Sequence, residues 1–410
     1  MELLSPAGSI EKLSYAYAYG ADAAYIGVKE FSLRARADGV EEGTADRLKQ
    51  LKGDKKLYGA VNRFFHEEDY RSFASSLEEL KDYPFDAFIV SDLGPARALR
   101  EAFGDKASLH LSTQANCLNS GAIAAYKDLG FSRIILGREA SLDDIRRIKD
   151  THPDMEIEAF VHGAMCMAYS GRCFLSAFLT GRSANEGDCS HTCRWKYRTL
   201  EKREVASTPY VLEEESRPGE YFPVIEKDGY STIMSSKDLC MIDHLQELKD
   251  SGVDSLKIEG RMKSLYYVAT VTRAYRKAID VLEKGYDKDE AQRYIDELHR
   301  VSHREYSTGF FFSKENIEKP TDISYIQNYL LIGTVEEKVS PTRYRISLKN
   351  KIVKGTMIEF IGPDILSVAD DSFTLWDAAG NEIDEGNHQM EIYLETSVVI
   401  SEGYIIRKQL

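Results

Sequence analysis

At 410 residues the chain suits one large domain followed by a smaller one. Its 43% hydrophobic and 29% charged residues are those of a globular protein, and no apolar run approaches the ~18 residues that a membrane span requires. A formal charge of −14 excludes a uniformly basic nucleic-acid binder, and the opening MELLSPAG, with an acid at position 2, is no secretory signal, so a cytoplasmic location is expected.

From the N-terminus, short apolar runs alternate with longer amphipathic ones. The strand candidates are ELL (2–4), AAYIGV (23–28), KLYGAVN (56–62), AFIVSD (87–92), SLHLST (108–113), RIILG (133–137), EIEAFV (156–161) and SLKIEG (255–260). Between most of them lie helical stretches such as SIEKLSYAYAYG, EEDYRSFASSLEELKDY, SGAIAAYKDLG and SLDDIRRIKD. Several end in glycine, as helices often do. Continuous apolar strands separated by helices imply a parallel sheet covered on both faces. Eight of them in about 260 residues point to a (β/α)8 barrel, with an open doubly wound sheet as the alternative. No G-x-G-x-x-G follows the first strand to favour a dinucleotide fold.

The rhythm breaks between the seventh and eighth strands, where a connection of about 162–254 replaces a loop that is normally a few residues long. Only LCMIDHLQELKDSG at its end reads as the expected crossover helix. Five of the six cysteines fall here, at 166, 173, 189, 193 and 240. In a reducing compartment such a cluster holds a metal or does chemistry, or else consists of inert thiols. Only Cys189 and Cys193 approximate a zinc knuckle, and dispersed thiolates suit an iron–sulfur cluster at least as well. Cys117 lies apart and reads as a small buried hydrophobe. Residues 165–203 also carry seven Lys or Arg against three acids, a local positive charge that includes Arg194, Lys196 and Arg198.

Polar residues gather at the ends of the strand candidates: Ser112, Thr113 and Gln114; Arg138 and Glu139; Glu158 and His162; Lys257, Glu259 and Arg261. On a barrel these converge on the C-terminal mouth, where they suit a small polar or anionic ligand. G-x-S-x-G and H-E-x-x-H are absent, which removes the strongest serine-hydrolase and zinc-protease signals. Two further helical stretches follow, LYYVATVTRAYRKAIDVLEKG and KDEAQRYIDELHRVS. From residue 325 onward, YLLIGTVEEKV, RYRISLK, GTMIEFIG, SFTLWDAAGNEI, MEIYLET and YIIRKQL alternate with turns, as in a small all-β barrel or sandwich. The reading is thus a barrel domain over 1–320 and a β-domain over 325–410.

EAFVHGAMCMAYSGRCFLS (158–176) resembles the signature of the U32 family, long labelled collagenase-like peptidases. ELLSPAG (2–8), GADAAYIG (20–27), LSTQANCLN (111–119), LGREASLDDI (136–145), CRWKY (193–197) and SSKDLC with GVDSLKIEGRMKS (235–264) extend the resemblance over essentially the whole chain. Family members that act as modification enzymes carry a [4Fe–4S] cluster on four cysteines. They are oxygen-independent hydroxylases of tRNA wobble uridine, of one 23S rRNA cytidine, or of a ubiquinone precursor. The length and the β-tail look most like the tRNA branch, which makes 5-hydroxyuridine and depends on prephenate. The resemblance implies ligation by Cys166, Cys173, Cys240 and Cys189, with Cys193 as the alternative to Cys189. The catalytic set is expected among the polar residues at the strand ends, Glu158, His162, Arg138, Lys257, Glu259 and Arg261, and the resemblance implies tRNA as the partner. The anticodon loop would then meet Arg194, Lys196 and Arg198, with Trp195 and Tyr197 placed to stack unpaired bases. A related U32 protein is a second expected partner, with this chain either the enzyme or its scaffold. Peptidase activity stays open as the other class.

Overall fold

The computed structural model describes residues 1–28, 31–32, 43–165, 170, 236–313, 325–388 and 390–410, and the backbone of 211–213, 221–223, 225–227 and 230–232. Cys166, Cys173, Cys189, Cys193, Arg194, Trp195, Lys196, Tyr197 and Arg198 lie outside the described residues.

All eight apolar runs form strands: β1 (Glu2–Ala7), β2 (Ala23–Gly27), β3 (Lys56–Val61), β4 (Ala87–Val90), β5 (Ser108–Leu111), β6 (Arg133–Ile135), β7 (Glu156–Ala164) and β8 (Ser255–Ile258). Each pairs in parallel with the next through β7, and β8 pairs in parallel with both β7 and β1. That second pairing closes the barrel and excludes the open sheet. The helices between strands are α1 (Ile10–Ala18), α2 (Ala45–Lys52), α3 (Glu67–Leu80), α4 (Leu93–Phe103), α5 (Ser120–Asp128), α6 (Leu142–Thr151) and α7 (Leu245–Asp250). Local chemistry sets their starts. Asp92 and Asn119 cap α4 and α5, and Ser141 with Asp144 forms a reciprocal capping box on α6.

One expected helix is mostly something else. In LCMIDHLQELKDSG only Leu245–Asp250 is α-helical, while Asp238–Cys240 forms a short strand antiparallel to the end of β7. Its partners are Ala164, Gly163 and His162, and Leu239 is buried. The pairing is available because β7 runs to Ala164, past the expected end at Val161. Gly163 makes this possible: its φ of +112° is one that side-chain-bearing residues rarely adopt. A further short strand, Tyr306–Ser307, lies parallel to Asp238–Cys240.

The barrel interior has a polar floor. Arg133 on β6 is almost fully buried and reaches Glu2 at 2.5 Å, Glu156 at 2.9 Å and Glu158 at 3.1 Å. The Tyr58 hydroxyl donates to Glu2 at 2.7 Å, and the His110 ring meets the Tyr58 ring edge-on. Arg133 holds the Glu2 carboxyl below its usual range despite burial.

Contacts divide the chain into two compact units. The first comprises Met1–Leu13, Asp22–Lys263 and Arg304–Tyr325; the second comprises Ser14–Ala21, Ser264–His303 and Ile326–Leu410. Both are discontinuous, so this partition differs in kind from a contiguous split near residue 320. In the second unit, an eight-stranded antiparallel sheet runs in the order β12-β11-β16-β9-β10-β15-β13-β14. Its strands are β9 (Tyr329–Lys338), β10 (Arg343–Leu348), β11 (Ile358–Ile361), β12 (Val368–Asp370), β13 (Thr374–Asp377), β14 (Glu382–Ile383), β15 (Ile392–Glu395) and β16 (Ile405–Gln409). Ile332, Ile346, Phe360, Leu375, Leu394 and Ile406 sit in its core. The helices α8 (Leu265–Lys284) and α9 (Lys288–Ile295) belong to the same unit. Arg273 on α8 donates to the carbonyls of Ile365 and Leu366. The fully buried Arg407 on β16 binds Glu297, Glu359 at 2.6 Å and the Tyr266 hydroxyl at 2.8 Å.

Removing one partner of a buried ion pair leaves a charge without compensation, so Arg407→Ala should cost about 3–5 kcal/mol in urea unfolding. Arg407→Met combined with Glu297→Gln should recover part of that loss. His110 supplies a second test. Burial, and then the positive charges of Arg133, Lys257 and Lys56, hold its imidazole well below its usual range. The unfolded chain regains an ordinary imidazole that binds a proton near pH ~6.5. Below that pH the unfolded state binds more protons, so stability falls with acidification, by up to ~1.4 kcal/mol per pH unit from this group. His110→Phe should flatten the slope between about pH 6.5 and 5; parallel curves for the two proteins would contradict it.

Candidate functional site

The C-terminal mouth of the barrel is built by the ends of β5 to β8 and the loops that follow them. Ser112, Thr113 and Gln114 serve the rim: the Thr113 hydroxyl donates to the Leu136 carbonyl at 3.0 Å, and Asn62 donates to Ser112 and Gln114 at 3.5 and 3.4 Å. After β6, the Arg138 guanidinium lies 3.9 Å from the centre of the Phe160 ring and pairs with Glu259 at 3.5 Å. The cation is thus held over an aromatic face with a carboxylate beside it. Arg261, after β8, sets its guanidinium 5.8 Å from the Tyr25 ring. The backbone there is brought in tightly: a Cβ on Gly8 would fall 2.0 Å from the Arg261 carbonyl oxygen, so the Gly8 of SPAG is a packing requirement.

Two residues expected at the mouth lie deeper. Glu158 is the third residue of β7 and has no exposed surface; it accepts from Lys257 at 2.7 Å, from Arg133 at 3.1 Å and from Ser255 at 3.2 Å. Lys257 rests 4.3 Å from the Tyr25 ring. Burial lowers its pKa, and Glu158 acts in the opposite direction. These two belong to the polar interior below the mouth. Both stand third in their strands, Glu158 in β7 and Lys257 in β8, whereas His162 lies near the far end of β7.

His162 is 1% exposed, and its ring centre is 5.3 Å from that of Tyr306. Its register partner across the antiparallel pairing is Cys240. The Tyr306 phenol is pushed upward by burial and then by Cys240 and Asp238, which holds it as a neutral hydroxyl. The structure therefore brings together His162, Cys240 and Tyr306 on three adjacent strand segments. Sequence reasoning selected the first two; Tyr306 lies in a polar stretch, HREYST, that carries no period. Arg133, Glu2, Tyr58 and Ser255 were likewise missed, although polar residues at alternate positions of apolar strands are the signal of a filled barrel interior.

The thiols can be tested against a cluster at one position. Cys240 is half-buried at the rim, in no disulfide, and is the soft donor that iron–sulfur clusters take. Its strand pairs with Ala164, two residues before Cys166. Among the described residues no group of three His, Cys, Asp or Glu could hold a metal by itself. Of the five clustered cysteines, Cys240 is the one among the described residues, and its thiol is chemically suited to be one ligand of such a cluster. Cys117, by contrast, is buried, and burial pushes its thiol up to about 11, as suits an inert side chain. No helix among the described residues is long and apolar enough to cross a membrane.

Comparison with known proteins places this geometry. The model of peptidase family U32 matches residues 8–321, and that of the family's C-terminal domain matches 327–407. The chain is 37% identical over 402 residues to the tRNA hydroxylation protein P of Escherichia coli, covering 88% of this chain and 86% of that protein. It is 34% identical over 288 residues to the E. coli 23S rRNA 5-hydroxycytidine C2501 synthase, covering 70% of this chain and 40% of that one. It is 32% identical over 328 residues to a collagenase of Porphyromonas gingivalis, covering 76% and 74%. A closed parallel barrel, an antiparallel β-domain after it, and matches to both family models across most of the sequence lead to one assignment: the chain belongs to peptidase family U32.

Proposed function

We propose that the chain is a tRNA-modifying enzyme that hydroxylates the wobble uridine to 5-hydroxyuridine without molecular oxygen. The observation that carries this reading is the 37% identity to a tRNA hydroxylation protein over nearly the full length of both chains. Cys166, Cys173, Cys240 and Cys189, or Cys193 in place of Cys189, would hold a [4Fe–4S] cluster, which supplies electron transfer when bound. Arg138 and Arg261 would bind the carboxylates of prephenate at the mouth, where Phe160 and Tyr25 already pack against their guanidinium groups. His162 would hold or move a proton at the rim, with Glu259 orienting Arg138 and the Lys257–Glu158 pair supporting the site from below. Arg194, Lys196 and Arg198 would contact anticodon-loop phosphates, which reconciles a basic segment with an acidic chain. A related U32 protein would be the partner if the active assembly is a hetero-oligomer.

Anaerobically purified protein should carry close to four iron atoms per chain, as a [4Fe–4S] cluster requires. Cys240→Ala should lose most of that iron and all hydroxylation. Cells lacking the gene should show less 5-hydroxyuridine in total tRNA by mass spectrometry. A zinc-loaded, iron-free protein with full activity would end this reading.

A second reading rests on one observation. Cys240 and His162 are direct cross-strand partners, the placement that a thiol nucleophile and its base would need. On the hydroxylase reading the thiol is a cluster ligand and is not free to attack a peptide. Reduced, purified protein should therefore degrade gelatin no faster than His162→Ala. Turnover abolished by that single change would favour the peptidase.

A further inference from the structure

We propose that Gln114 is a specificity-determining residue that donates a hydrogen bond to the 4-carbonyl of a pyrimidine and so selects uracil over cytosine. The inference deepens the tRNA reading and rests on it for the polynucleotide, while the hydrogen-bond logic comes from the rim itself. Gln114 stands in a short 3₁₀ turn, Thr113–Ala115, directly after β5, at the same end of the barrel as Arg138 and Arg261. That turn is tied down at three points. The Ser112 backbone N–H donates to the Val90 carbonyl at 2.8 Å, the Asn116 N–H to the Thr113 carbonyl at 3.0 Å, and the Thr113 hydroxyl to the Leu136 carbonyl at 3.0 Å. A side chain on such a turn has a fixed base from which to meet a ligand.

The amide is oriented at its oxygen end. Oε1 accepts from the Ser112 hydroxyl and from Asn62 Nδ2, the latter at 3.4 Å. Asn62, directly after β3, also donates to the Ser112 hydroxyl at 3.5 Å, so the three side chains form one chain of donors that ends on the glutamine oxygen. Ser112 is 1% exposed and Gln114 is half-buried. Among the described residues the Gln114 amide nitrogen has no hydrogen-bond partner. A glutamine without such contacts can turn its amide over and present either a donor or an acceptor. Here, turning it would set one NH2 group against another and lose the hydrogen bond from the buried Ser112 hydroxyl. The amide therefore offers N–H donors only. Uracil carries a carbonyl at C4 where cytosine carries an amine, so a fixed donor complements the first and opposes the second. The three side chains are neutral, which suits an uncharged base, whereas carboxylates and phosphates are better served by Arg138 and Arg261. Two parts of one mouth thus take two kinds of ligand.

The test measures equilibrium binding of anaerobically purified, full-length protein to two anticodon stem–loop RNAs that differ only in uridine or cytidine at the wobble position. Wild type should prefer uridine by about ten-fold, the scale of a hydrogen bond made against a donor left facing another donor. Gln114→Leu should bring that ratio close to one. Gln114→Glu keeps an oxygen for Ser112 and Asn62 and turns the outer donor into an acceptor, so its preference should shift to cytidine. Ser112→Ala frees the amide to turn and should lower the preference, whereas a merely structural role would weaken both RNAs alike. Equal binding of the two RNAs by wild type, an unchanged ratio in Gln114→Leu, or a uridine preference kept in Gln114→Glu overturns the proposal and leaves the tRNA reading standing. If Gln114→Leu shows no thermal unfolding transition, Gln114→Glu decides alone. If wild type binds neither RNA, free uridine and cytidine are compared by ligand-observed NMR. A uridine preference lost in Gln114→Glu would then strike the tRNA reading and keep the donor role; no preference in wild type overturns the proposal.

Discussion

The length of β7 is the constraint on which the rest depends. It has nine residues, while the other barrel strands have three to six. Its first half completes the barrel against β6 and β8, and it buries Glu158 among Arg133, Ser255 and Lys257. Its last three residues pair with Asp238–Cys240, which in turn pairs with Tyr306–Ser307, and His162 still pairs with Ile258 of β8. A single strand therefore joins the ion network of the interior to the thiol and imidazole of the rim. A β7 that stopped at Val161 would lose the antiparallel pairing that sets Cys240 opposite His162.

The polar interior is costly by itself, because each buried charge gives up its hydration. It is tolerated here because the charges alternate, with Arg133 set among Glu2, Glu156 and Glu158, and Glu158 shared with Lys257. The mouth differs in design. There Arg138 and Arg261 are set beside aromatic faces, and Arg138 contacts Glu259 at 3.5 Å.

Much of the barrel was legible because its strands are buried on both faces and read as unbroken apolar runs. AAYIGV and AFIVSD need no partner to be recognised. The short strand Asp238–Cys240 was not legible, since LCMID is too short for periodicity to separate helix from strand and tertiary pairing decided the matter. The same limit displaced Glu158: nothing in EIEAFVHGA marks where the strand stops, so a residue in its third position was read as near its end. Cys240 was identified from its company of cysteines and Arg138 and His162 from their places after apolar runs. The hydrogen bond from Asn62 to Gln114 joins residues 52 apart in sequence, and no local pattern encodes that.

The discontinuous second unit has a consequence for the order in which the chain is made. The Tyr19 hydroxyl donates to the carbonyls of Ile361 and Gly403, 342 and 384 residues downstream. Burial of the phenol pushes its pKa upward, so it remains a donor. On the ribosome, this tyrosine emerges 342 and 384 residues ahead of its two acceptors. The segment Ser14–Ala21 must wait through the synthesis of the barrel strands for the partners that complete its unit. Contacts of such sequence separation form slowly, since the loop they close must be paid in entropy first. For this protein, the second unit is completed only when chain made hundreds of residues later returns to this early segment.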